Sequence, residues 1–161
     1  MARHPKTIMA FHYKTQGIIL KKQDVGEANR IFKVFCKEYG KLTMFAVSER
    51  KITSKLRGGL ELFSLSQLEF VQGKQKKVLV EAIPLTQYLT SFEDLSYLRS
   101  AMHIAKLVDE HMAEQEKDEK VWNLLLQSFS ELKEGTAPEK TYQSFAPQFM
   151  TLAGYGNKVV I

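Results

Sequence analysis

Apolar residues recur at every second position through the first half of the chain and at every third or fourth position through the second half. Period two is the signature of a strand with one face buried, and a period near 3.6 that of a helix packed along one stripe. Residues 17–24 open with the β-branched pair Ile18 and Ile19 and stop before Gly26, whose freedom at positive φ suits a strand exit. A second strand follows at 30–36. Lys37, Glu38, Tyr39 and Gly40 supply a turn, and 41–47 returns as the other arm of a hairpin. In that arm Leu42, Met44 and Ala46 share one face, while Lys41, Thr43, Phe45 and Val47 share the other. Residues 48–59 lose apolar content and read as a basic connection with at most one helical turn. Alternation resumes over 62–72, a turn at 73–77 reverses the chain, and 78–83 forms a fifth strand closed by Pro84. Five short strands with no long helix between them predict a small, largely antiparallel barrel or sandwich.

After Pro84 the stripes become helical. Leu95, Leu98, Met102, Ala105, Val108 and Met112 form the first; Val121, Leu124, Leu125, Phe129 and Leu132 the second; Tyr142, Phe145, Phe149 and Leu152 the third. The breaks at 114–120 and 135–138 are polar or carry Gly and Pro. Asp118 and Thr136 stand where N-caps are expected, and Pro138 where a helix can open. Internal repeats and low-complexity segments are absent from the sequence.

Charge divides at the same place as the period. Residues 1–81 hold sixteen Lys and Arg against seven Asp and Glu, a net of +9; residues 82–161 hold seven against eleven, a net of −4. A basic folded module joined to a mildly acidic one points to a polyanionic partner, with nucleic acid the first expectation. At 161 residues and 44% hydrophobic the chain can bury a core. No apolar run approaches the length that spans a bilayer, and residues 1–6 lack the pattern of a secretory leader, so the cytoplasm is the expected compartment. Cys36 is the sole cysteine, which excludes an internal disulfide or a thiolate zinc cluster, and its apolar setting predicts a buried thiol.

Catalytic patterns are missing. His103 and His111 lie eight apart, outside the i, i+4 spacing of two imidazoles on one metal. The acidic run Glu114, Glu116, Asp118 and Glu119 has no fixed spacing to a base and reads as a solvated connection. Neither phosphate-binding nor nucleophile-elbow glycine motifs occur. The chain is therefore read as a non-enzyme with no metal and no cofactor. The cations carry more information: Arg50, Lys51, Lys55 and Arg57 lie in one connection, and Lys74, Lys76 and Lys77 in one turn. A small barrel brings such loops to the edge of one binding face, where Phe45, and less strongly Phe32, offer surfaces for base stacking. Single cations such as Lys14, Lys33 and Lys37 are as readily solvated.

These residues carry a family likeness. Residues 18–30, with Gly26 and Glu27 followed closely by Arg30, then 35–41 ending in Gly40 and Lys41, then 46–50, and Ser54, Lys55, Leu56, Arg57 with Leu60 and Phe63, resemble the N-terminal domain of the bacterial recombination mediator RecO. A further echo lies at 149–155, ending in Gly154 and Tyr155. The resemblance implies an α+β protein: a five-stranded OB-fold-like β-barrel at 14–83, preceded by an extension at 1–13 and followed by a small α-helical domain of about three helices at 84–161. It implies binding of single- and double-stranded DNA, strand annealing and recombinase loading, with a RecR-like protein and single-strand-binding protein as partners. The basic clusters and the resemblance together give the expected DNA-binding set: Arg30, Lys41, Arg50, Lys51, Lys55, Arg57, Lys74, Lys76 and Lys77. Two departures stand out: Ser48 and Glu49 occupy the place of the family's usual Gly before the Arg50 position, and the family's cysteine zinc module has no counterpart here. Two readings remain beside this one: an adaptor whose basic half takes the acidic tail of single-strand-binding protein, and an RNA-binding OB module.

Overall fold

The computed structural model describes residues 11–47, 56–89 and 94–155. Five strands, β1 (His12–Val25), β2 (Asn29–Cys36), β3 (Gly40–Ala46), β4 (Ser64–Gln72) and β5 (Lys77–Gln87), close into a barrel in the order β1-β2-β3-β5-β4. All pairings are antiparallel except β3 with β5, which run parallel and meet at Met44↔Lys77 and Phe45↔Val78. A 3₁₀ turn at Arg57–Gly59 precedes β4. Helices α1 (Leu95–His111), α2 (Glu119–Glu134) and α3 (Pro138–Leu152) follow. The five-stranded, OB-fold-like barrel and three helices expected from the sequence are thus present.

The run Ile18, Ile19, Leu20 explains how barrel and helices join. Successive strand residues face opposite sides, and all three are buried. Ile19 points into the barrel with Phe32, Val34, Leu42, Met44, Leu68 and Phe70. Ile18 and Leu20, with Phe35, point outward into a second core built on Ile104, Val108, Trp122, Leu125, Phe129, Phe145 and Phe149 of the helices. Trp122 stacks on Phe35 at 6.4 Å between centroids. The helical half therefore covers one flank of the barrel rather than trailing from it.

Several element bounds and faces differ from the sequence expectation. β1 starts at His12, not 17, because Thr15 turns inward and is 2% exposed, its hydroxyl donating to Glu38 Oε1 at 2.8 Å. A buried, bonded Thr reads as polar and hides the alternation. β5 runs through Pro84 to Gln87, since the β4–β5 register shifts between Leu65 and Ser66 and the missing N–H falls at that irregularity. Phe63 does not alternate with Ser64. Its φ of 61° turns the side chain out of the barrel to stack on Phe129. In α1 the buried stripe is Ala101, Ile104, Ala105 and Val108, with Met112 buried at the C-cap; Leu95 and Met102, expected inside, are exposed. Small Ala101 and Ser100 let the helix approach its neighbours closely, at the expense of the longer side chains beside them.

Asp118 caps α2 as expected, its Oδ1 accepting from Val121 N–H at 3.0 Å. Thr136 does not cap α3: the cap position is Ala137, without a side-chain bond, and Pro138 opens the helix. The polar break at 114–120 is not a free connection. Glu114 bridges Lys41 along the β3 edge, and Gln115 N–H donates to Lys41 O at 2.8 Å.

Candidate nucleic-acid interface

The parallel β3–β5 pair decides where the basic turn goes. Joining Phe45 to Val78 in register brings the start of β5, and with it the β4–β5 turn, beside the outer face of β3. That turn is closed by Gly73 N–H donating to Lys76 O at 2.8 Å. Lys76 Nζ lies 4.5 Å from the centroid of the Phe45 ring, within cation–π range, while Lys74 and Lys76 are exposed and Lys77 is half-buried. The β2–β3 register sets Ile31 beside Phe45 and Lys33 beside Thr43, so this face carries aliphatic, aromatic and cationic groups together. Strand faces of this kind, bordered by basic loops, suit a nucleic-acid backbone whose bases need flat apolar support.

One edge of the face is fixed by an acid from the helical half. Lys33 Nζ donates to Thr43 Oγ1 at 2.7 Å, Thr43 Oγ1 donates to Glu114 Oε2 at 2.9 Å, and Lys33 lies 3.6 Å from the same carboxylate. Lys33 is thereby partly neutralised, and positive charge is left at the turn end of the face. The alternation of β3 signalled Thr43, but nothing in sequence spacing pointed to Glu114, which reaches the barrel through the fold.

The remaining expected residues distribute as follows. Arg30, second in β2, pairs with Asp24, with Nε donating to Asp24 Oδ1 at 2.6 Å. Lys41 is not available to a ligand. It is 9% exposed, its ammonium donates to Asp109 O at 2.6 Å, and Asp109 Oδ1 lies 3.5 Å away. Phe32 is fully buried inside the barrel and is no stacking surface, whereas Phe45 is half-exposed. Arg50, Lys51 and Lys55, and the side chain of Arg57, lie outside the described residues. Cys36 is a buried thiol. Burial, with the Glu38 and Glu114 carboxylates, pushes it well above the ordinary thiol range. Among the described residues, no group of three His, Cys, Asp or Glu is placed to hold a metal ion. No described helix is long and apolar enough to cross a membrane.

Residues 9–88 match the family model described as "Recombination protein O N terminal". The chain is 30% identical over 143 residues to the DNA repair protein RecO of a Dehalococcoides mccartyi strain, covering 89% of this chain and 56% of that protein. It is 27% identical over 143 residues to the protein of the same name from a Roseiflexus strain, covering 89% and 50%, and 29% identical over 154 residues to that of Gloeothece citriformis, covering 94% and 54%. The chain therefore spans about half the length of the curated relatives it matches.

Proposed function

This chain belongs to the RecO family, and from that premise we propose that it is a DNA-binding recombination mediator acting in DNA repair without catalysis, in the cytoplasm. The barrel takes the phosphates of single- or double-stranded DNA through Lys74, Lys76 and Lys77, with Arg30, Arg50, Lys51, Lys55 and Arg57 extending the basic surface. The helical half, packed on the flank formed by β1 and β2, offers protein partners a surface of its own. The reading includes strand annealing and recombinase loading, with a RecR-like protein and single-strand-binding protein as those partners.

The observation that carries it is the placement of Lys76 over Phe45. Cations that hold phosphates and a ring that supports bases share one face, which is what a strand with both groups requires. A mediator that anneals must hold two strands without reading their sequence, so its contacts should be to backbone and base faces rather than base edges.

An annealing assay tests this function. Complementary labelled oligonucleotides should pair several-fold faster with the protein than alone, and Lys74→Ala/Lys76→Ala/Lys77→Ala should remove the acceleration. Strands that bind but anneal at the uncatalysed rate would overturn the annealing role.

A further inference from the structure

Beyond the outer face, the barrel has a gap in its wall. β3 pairs with β5 only through Met44 and Phe45, so the stretch of β3 before Met44 has no strand on that side. The α1–α2 connection runs along this edge instead, held by Gln115 N–H on Lys41 O. Between that connection, the start of β1, the β2–β3 turn and the end of β4 lies a cavity of about 320 Å³.

Its walls are aromatic and its rim is cationic. Tyr13 stacks on Phe70 at 5.3 Å between centroids and 21° between planes. Tyr39 stands nearly perpendicular to both, at 6.1 Å and 89° to Tyr13 and 5.9 Å and 82° to Phe70, so the three rings form a corner. Lys77 lines it from β5 and Lys117 from the α1–α2 connection, with Gln115 beside them. Glu38, the acid among the lining residues, already accepts the Thr15 hydroxyl. Aromatic side chains of a soluble barrel usually complete its core, yet Tyr13 and Tyr39 remain partly exposed around open space.

We infer that this cavity receives one unstacked base of a nucleic-acid strand, with Lys77 and Lys117 holding the flanking phosphates. The inference rests on the DNA-binding reading above and deepens it. At about 320 Å³ the space is at the small end of ligand pockets, matched to a single nucleotide and too small for a duplex. Every base presents a flat π-face to a ring corner, and cations on two sides of the mouth suit a chain with a charge at each linkage. Lys77 also ends the turn that carries Lys74 and Lys76, so a strand following that turn passes the opening. An aromatic residue in an acidic peptide shares some of this chemistry. The basic turn continuing from the mouth favours the strand, whose charge extends beyond one residue.

The test compares binding of the full chain to two labelled strands of equal length, one of normal thymidines and one whose central nucleotides are abasic. Phosphate contacts are the same in both. The wild-type protein should bind the abasic strand roughly fivefold or more weakly, the lower end of what one stacked base contributes. Tyr39→Leu, which keeps apolar bulk, should remove most of that difference; Phe45→Leu, which removes a base support on the outer face, should reduce it less; and Lys117→Gln, which removes a phosphate contact, should weaken both strands alike and leave their ratio unchanged. Equal binding of the two strands with a normal salt dependence would overturn the base pocket while sparing the DNA-binding reading. Binding to neither strand would overturn both. Loss of the difference in Phe45→Leu but not Tyr39→Leu would place the stacked base on the outer face and end the inference. So would an acidic, aromatic peptide that is displaced by neither strand yet binds through Tyr39.

Discussion

The ammonium of Lys41, on the third barrel strand, donates to the backbone carbonyl of Asp109 on the first helix at 2.6 Å, joining residues 68 apart in sequence. With the Asp109 carboxylate at 3.5 Å, a lysine expected on the DNA face becomes a tie between barrel and helices. A charge-assisted bond of this kind, in a site with little water, contributes on the order of 2 kcal/mol. Lys41→Ala should therefore lower the urea midpoint while leaving strand affinity near wild type. Lys76→Ala should do the reverse. Denaturant titration and oligonucleotide binding on the same two variants separate these outcomes.

Gly40 holds the β2–β3 turn at φ 73°, and a Cβ there would lie 2.4 Å from the carbonyl carbon and oxygen of Glu116. Left-handed backbone alone costs an L-residue about 1–2 kcal/mol, and the clash is with backbone that cannot rotate away. Gly40→Ala should destabilise by more than that figure, and by more than Gly26→Ala, which shares a positive φ but meets nothing within 4 Å. Paired thermal melts check the ordering.

Trp122, the chain's one tryptophan, is 3% exposed and stacked on Phe35 of the barrel. Its fluorescence reports the contact between the two halves, while the far-ultraviolet dichroism reports the strands and helices themselves. Because the outer flank of β1 and β2 supplies part of the helical core, both signals should change at the same denaturant concentration. Cys36 gives a third probe: at 1% exposure, with its thiol held protonated by burial, it should react with a disulfide reagent only at the rate of unfolding.

At the start of α1, the Asp94 side chain accepts from the hydroxyl of Ser96 at 2.6 Å and from its N–H at 3.0 Å. These bonds, the side-chain one first, hold its carboxyl below the usual value of 3.8. A folded-state value lowered in this way contributes stability above the ordinary carboxylate range, and that contribution is lost as pH falls through the lower value. Asp94→Ala should thus be less stable than wild type at pH 7, with the gap closing in strong acid. Urea midpoints measured across that range read the effect.

Strand number, the β2–β3 hairpin and the second and third helical stripes were legible because each depends on local alternation or on large apolar residues. Val121, Leu125, Phe129, Phe145 and Phe149 are buried where the period puts them. The α1 stripe was legible at Ala105, Val108 and Met112, which are buried, and misread at its start, because Ala101 and Ser100 bury well yet weigh little in a hydrophobic pattern, while Leu95 and Met102 weigh much and face solvent. The site was legible only as composition. Lys74, Lys76 and Lys77 were visible as a basic turn, but the placement of Lys76 over Phe45 follows from a parallel pairing of β3 with β5 at two positions, which no local signal specifies. Tyr13 and Tyr39 were passed over for the same reason: they meet only when β1 and the β2–β3 turn are folded together.

The central claim is that the basic turn at 74–77 holds nucleic-acid phosphates, and salt titration tests it most directly. Affinity for a labelled single strand, measured at several salt concentrations, should fall along a log-log line with a slope of roughly −0.7 per phosphate neutralised. Lys74→Ala/Lys76→Ala/Lys77→Ala should make that slope shallower by about 2 and weaken binding to all sequences alike. A wild-type line without slope, or a triple variant whose slope and affinity match wild type, would contradict the account.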